Sequence, residues 1–216
     1  MKNKVLKIYD ELYRIFGQQH WWPGDSIDEI IIGAVLTQNT NWDNVSRAIK
    51  NLTHANKLSL KKISSMNQEE LSVLIKPSGY YNLKAKRLQA VARFFVDKYN
   101  CDYELLKKKN CIELRKELLD IYGVGYETAD SILLYCFDMP TFVVDAYTKR
   151  MGERHNLFPA NSDYHQVKEY FTKHLPLDKS LFNEFHALIV KIGKDFCRAK
   201  PNCEKCPLND RKFYNF

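Results

Sequence analysis

Leu118-Leu119-Asp120-Ile121-Tyr122-Gly123-Val124-Gly125-Tyr126-Glu127-Thr128-Ala129 joins two segments of helical periodicity through a pair of glycines. Glycine lets another backbone approach closely and admits a positive φ. A helix opening near Gly125 presents unpaired N–H groups at its positive end. A nest of that kind holds a phosphate without reading a base. The same glycines also suit a plain helix–helix turn, and the stretch alone leaves both readings open.

Outward from this loop the chain reads as helix. Ile27, Ile30, Ile31, Ala34 and Val35 follow i, i+3, i+4, i+7 and i+8. Leu88, Val91, Ala92 and Phe95 do the same, with Lys84, Arg87 and Arg93 among the polar positions. This periodicity predicts helices over 3–16, 27–37, 42–52, 67–75, 82–98, 112–120, 126–137, 146–155, 163–174 and 179–194. Asp25 or Ser26 can cap the second, and Asp163 the ninth. Strand-like alternation is hard to find, no repeat of fixed period is evident, and Pro77, Pro140, Pro159 and Pro176 punctuate the pattern. The fold class is therefore all-α.

Composition narrows the function. The 216 residues are 45% hydrophobic, enough for a sound core and too many for a disordered chain. Apolar runs such as Ile30-Ile31-Ile32 break within a few residues, which argues against a membrane partner. Lys2, Lys4 and Lys7 lead into Asp10 and Glu11, not into the apolar core of a secretory leader, so a cytoplasmic location is expected. Thirty-three Lys and Arg against 26 Asp and Glu give a net charge of +7, a weak pointer to a polyanion. Of six cysteines, Cys101, Cys111 and Cys136 are scattered, whereas Cys197, Cys203 and Cys206 cluster at metal-like spacing.

About twenty residues beyond the glycine loop comes Phe142-Val143-Val144-Asp145-Ala146-Tyr147-Thr148-Lys149-Arg150, an acid after an apolar run at the opening of a helix. Asp is a favoured N-cap, and a helix N-terminus also keeps a carboxylate ionised and fixes its direction. A Gly-Val-Gly hairpin followed by Val-Asp resembles the helix-hairpin-helix (HhH-GPD) DNA glycosylases of the endonuclease III superfamily. Leu36-Thr37-Gln38-Asn39-Thr40, Pro77-Ser78-Gly79-Tyr80-Tyr81-Asn82-Leu83-Lys84-Ala85-Lys86-Arg87 and the terminal cysteines extend the resemblance over nearly the whole chain. Trp21-Trp22-Pro23 and Gly125-Tyr126-Glu127-Thr128-Ala129-Asp130 make it most similar to the 3-methyladenine DNA glycosylase branch.

The resemblance implies two helical domains with a DNA cleft between them. One would span 23–133, with the helix-hairpin-helix at about 112–137. The other would join 1–22 to 134–216 and carry a cysteine loop at about 197–212. The partner would be double-stranded DNA from which one damaged nucleotide is flipped into a pocket. Gly123, Val124 and Gly125 would hold the backbone. Gln38, with Asn39 beside it, would fill the gap in the stack. Asp145 matches the catalytic aspartate, which stabilises positive charge on the sugar or activates water. Members that also cut the strand use a hairpin lysine as an amine nucleophile. Glu127 stands at that position and cannot form an imine, so AP lyase activity is not expected. Lys149 and Lys194 are nearby but fall elsewhere.

Trp21, Trp22 and Trp42, all the tryptophans of the chain, flank the segment that would line the pocket mouth. N3-alkylated adenine is cationic, and an indole face attracts it by about 0.5–2 kcal/mol. Lys194 matches a pocket-side position of the same branch.

The resemblance also implies an iron–sulfur cluster held by four cysteines. Here Cys197 and Cys203 are one residue closer than in that pattern, and the fourth position is Lys212. A cluster with another fourth ligand, a three-iron cluster, a zinc site and an empty loop all stay open. Arg198, Lys200, Lys205, Arg211 and Lys212 suit phosphate contacts whichever holds.

The expected function is thus that of a monomeric, nucleoid-associated base-excision-repair enzyme, a monofunctional DNA glycosylase that removes an alkylated purine such as 3-methyladenine. The alternatives are a mismatch or other-lesion glycosylase, an endonuclease III-type glycosylase with AP lyase activity, and a non-catalytic binder of damaged DNA. The short chain, with no extra C-terminal domain, speaks against the adenine-mismatch type, and a pure binder would have no need of Asp145.

Overall fold

The structure is a computed structural model that describes residues 3–209. Among these residues it is built of helices and contains no strand. The helices are α1 (Lys4–Phe16), α2 (Ile27–Leu36), α3 (Trp42–His54), α4 (Leu60–Ser65), α5 (Gln68–Leu74), α6 (Tyr81–Arg93), α7 (Tyr103–Lys107), α8 (Cys111–Leu119), α9 (Tyr126–Phe137), α10 (Ala146–Arg154), α11 (Tyr164–His174) and α12 (Lys179–Asp195). No helix among the described residues is long and apolar enough to cross a membrane.

The helices α4 and α7 were not expected. They are six and five residues long, too short for the 3.6-residue period to register. The expected helix over 82–98 is an α-helix to Arg93 that continues as a π-helical turn, Phe94–Lys98. Of the two proposed caps for α2 it is Ser26 that accepts from the Glu29 amide, while Asp163 closes a full capping box with Gln166 on α11.

The chain forms two compact units, Pro23–Met139 and Met1–Trp22 with Pro140–Phe216. The division falls at 139/140, not at the expected 133/134. The last turn of α9 explains the shift, because Leu133, Cys136, Phe137 and Met139 are buried in the core of the first unit. Asp138 then turns left-handed at φ 57° to end the helix, and Pro140 cannot continue it.

In the Pro23–Met139 unit, α2 packs on both α6 and α9. Ile31, Ile32, Val35 and Leu36 are fully buried with Leu88, Val91 and Phe95. Among these apolar groups lies Lys84, only 1% exposed. Its ammonium donates to the Leu36 carbonyl at 2.7 Å and the Ser78 carbonyl at 2.6 Å, the ends of α2 and of a 3-10 turn. Burial, with the neighbouring Arg87 charge, pushes its pKa down to about 8.

The second unit packs α1 and α10 against α12 over an aromatic core. Phe142 stacks on Phe171 at 4.4 Å and meets Phe182 edge-on at 5.5 Å. Each buried ring contributes up to about 3 kcal/mol of transfer free energy. Phe142 thereby anchors the strap that leads into Asp145 and α10.

Candidate active site and hairpin loop

In the Pro23–Met139 unit, α8 and α9 form the expected hairpin. Gly123 adopts φ 81°, a conformation that L side chains rarely take. Val124 is buried in the core, so its side chain anchors the loop. Gly125 is the N-cap of α9 and brings no side-chain cap. A bidentate pair fixes the two helices: Arg115 donates to both oxygens of the fully buried Asp130, at 2.8 and 3.1 Å. Breaking one side of such a pair costs about 3–5 kcal/mol. Tyr122 and Tyr126 expose their rings on either side of the glycines.

Gln38 does not project freely from this unit. Its amide nitrogen donates to the Gly123 carbonyl and to the Thr128 hydroxyl, both at 3.0 Å. Its amide oxygen accepts from Arg87 at 2.7 Å. The side chain expected in the DNA stack therefore braces the hairpin here, while Asn39, left-handed at φ 53°, is the exposed member of the pair.

In the other unit, Asp145 is the N-cap of α10. Its Oδ1 accepts from the Thr148 amide at 2.7 Å and the Thr148 hydroxyl at 2.9 Å. Its Oδ2 faces Nε2 of His186 on α12 at 3.5 Å. The carboxyl is 12% exposed. Burial by itself would raise its pKa, but the facing His186 and the two bonds from Thr148 outweigh burial and hold it below the ordinary carboxylate range. The spacing of α10 and α12 is fixed by Gly193, where a Cβ would meet the Tyr147 ring at 2.4 Å.

Trp21 and Trp22 are half-buried and meet edge to face at 5.2 Å. Trp42 opens α3 and packs half-buried on the core of the Pro23–Met139 unit. Lys194 is exposed in the last turn of α12. Lys149 donates to the Ser162 carbonyl at 3.2 Å.

The terminal loop is gripped by α10. Arg150 donates to the Cys197 carbonyl at 2.6 Å, and Arg154 reaches the Cys197 sulfur at 3.2 Å and the Arg198 and Ala199 carbonyls at 2.7 and 3.1 Å. Cys197 is buried and Cys203 exposed. Burial first, then the neighbouring Cys197 and Cys203, raises the Cys206 thiol. Among the described residues no group of three or more His, Cys, Asp or Glu side chains is gathered to hold a metal ion. Arg211 and Lys212, including the fourth ligand position, lie outside the described residues. Cys197, Cys203 and Cys206 are the described residues that would hold a cluster, and no catalytic step below passes through one.

The profile of the HhH-GPD superfamily of base excision DNA repair proteins matches residues 32–177. The chain belongs to this superfamily. It is 48% identical over 207 residues to a protein of Methanocaldococcus jannaschii assigned as a DNA repair glycosylase, covering 95% of this chain and 94% of that one. Endonuclease III of Thermotoga maritima is 30% identical over 187 residues, covering 86% and 82%. The 3-methyladenine DNA glycosylase of Helicobacter pylori bound to 1,N6-ethenoadenine superposes with a TM-score of 0.75 at 30% identity, covering 88% of this chain and 96% of that one.

Several side chains that shape this HhH-GPD chain were not singled out from its sequence. His186, Arg150 and Arg154 act across tertiary contacts with residues far along the chain, which periodicity does not report. Lys84, set by the periodicity among the polar positions of its helix, is buried instead.

Proposed function

We propose that the chain is a monofunctional DNA glycosylase that removes an alkylated purine such as 3-methyladenine from double-stranded DNA, leaving an abasic site. The observation that carries this reading is the Asp145 carboxylate, held ionised at the N-terminus of α10 with one oxygen fixed by Thr148. Rupture of the N-glycosidic bond leaves positive charge on the deoxyribose. A fixed, partly desolvated anion stabilises that charge without reorganising at the moment of reaction. The same carboxylate can orient or accept a proton from the attacking water.

A cationic alkylated base is already a good leaving group, so the chain need supply little acid catalysis. The paired rings of Trp21 and Trp22, with Trp42 and Lys194 as further candidates, supply faces and charge suited to recognising it. The likeness to a 3-methyladenine glycosylase supports the same lesion class. Monofunctional chemistry follows from Glu127 in the first turn of α9, where an amine would be needed for an imine. Gly123, Val124 and Gly125 offer backbone to a phosphate, and Asn39 is the exposed polar group beside Gln38. On this reading a monomer acts on nucleoid DNA in the cytoplasm.

The test is base release from duplexes carrying methylated, deaminated, oxidised or mismatched bases. Preferential release of methylated purines is expected. Preferential release of another class would overturn the lesion assignment, and no release from any duplex would overturn the enzymatic one.

A further inference from the structure

We infer that His186 is a positioning residue for the Asp145 carboxylate. The inference deepens the glycosylase reading and, for its kinetic part, rests on it. His186 lies on α12, is 4% exposed, and turns Nε2 toward Asp145 Oδ2 at 3.5 Å. Thr148 already takes Oδ1 through two hydrogen bonds. Together the two contacts hold both oxygens of one carboxylate from opposite sides, α10 and α12. Rotation about its Cβ–Cγ bond would break one or the other.

An N–H on the nitrogen facing the carboxylate would aim at Oδ2, where a bare lone pair would be repelled. At 3.5 Å the two atoms are within ion-pair range without a closed hydrogen bond. A small turn of either side chain would close the remaining gap to an ordinary hydrogen bond. Gly193 lets α12 approach α10 closely, because a Cβ there would overlap the Tyr147 ring at 2.4 Å. His186 thus fixes which edge of Asp145 is presented to the sugar without itself touching the reacting atoms.

Two variants test this. His186→Leu keeps the volume and removes the donor, whereas His186→Gln keeps an N–H of similar reach. On methylated duplex DNA, His186→Leu should slow single-turnover base release by at least about tenfold, with His186→Gln recovering most of the rate. Affinity for a duplex bearing a tetrahydrofuran abasic analogue should stay within about twofold in both. An unchanged rate in His186→Leu, or equal loss of rate in both variants, would overturn the proposal. A second readout does not depend on activity. The imidazole ¹⁵N resonances of His186 should move between the native protein and Asp145→Asn. Unmoved resonances refute the pairing, whereas moved resonances in a protein that releases no base refute the glycosylase reading and leave the pairing standing.

Discussion

Gly123 and Arg87 share one space: a Cβ on Gly123 would lie 2.2 Å from Cγ and 2.6 Å from Cδ of Arg87. The hairpin glycine is therefore required twice, once for φ 81° and once to admit the arginine stem that reaches Gln38. Gly123→Ala should destabilise the protein by about 2–4 kcal/mol, from backbone strain plus overpacking. In the double variant with Arg87→Ala the overlap is gone and only the strain remains. Chemical denaturation should then give a double variant at least about 1 kcal/mol more stable than the sum of the single losses. Strict additivity would mean that the two residues do not meet.

Gln38 separates a brace from a wedge. Its amide makes three hydrogen bonds within the Pro23–Met139 unit. Gln38→Ala should therefore lower unfolding free energy by about 1–3 kcal/mol, since the partners lose a half-buried contact. A side chain that acted only on DNA would leave stability untouched and weaken DNA affinity alone.

At Asp145 the cap and the chemistry can be told apart. Asn is as good an N-cap as Asp, so Asp145→Asn should fold with only a modest stability loss, from the His186 contact. Without the anion it should lose base release while still binding damaged duplex. Asp145→Ala should lose both the activity and about 1 kcal/mol of stability. An Asn variant as active as the native protein would end the catalytic assignment.

What was legible in the sequence follows from the range of each interaction. The long helices, the caps at Ser26 and Asp163 and the acid that opens α10 are local patterns, readable from spacing alone. The glycine hairpin was readable because only a few turn geometries join two helices so closely. The role of Gln38 was not, because its partners at Arg87 and Gly123 are brought to it by the packing of α2 on α6 and α9. His186 was hidden for the same reason: on α12 it reads as one polar position on an otherwise apolar face.

Lys84 gives a signed pH dependence. Its pKa falls from 10.5 to about 8 on folding. Between those values the unfolded chain holds a proton that the folded chain has released, so this group makes stability rise with pH. A neutral amine still has two N–H groups for the Leu36 and Ser78 carbonyls. The stability of the native protein relative to Lys84→Met should therefore increase from pH 8 toward pH 10. A flat difference across that window would show that Lys84 stays charged in the fold.

Strand cleavage is the last discriminating chemistry. A lyase needs an amine that attacks the sugar carbon, loses water to give an imine, and so becomes trappable by borohydride. Glu127 occupies the first turn of α9 as an exposed carboxylate, and Lys149 is engaged with the Ser162 carbonyl. Abasic duplex incubated with the native protein and borohydride should yield no covalent adduct. Glu127→Lys supplies the missing amine at an exposed position, at a stability loss of about 1 kcal/mol from reversing the favourable charge at the helix start. That variant should give an adduct visible on a denaturing gel. A native protein that traps as strongly as the variant would mean that another lysine does the chemistry, and the monofunctional assignment would fall.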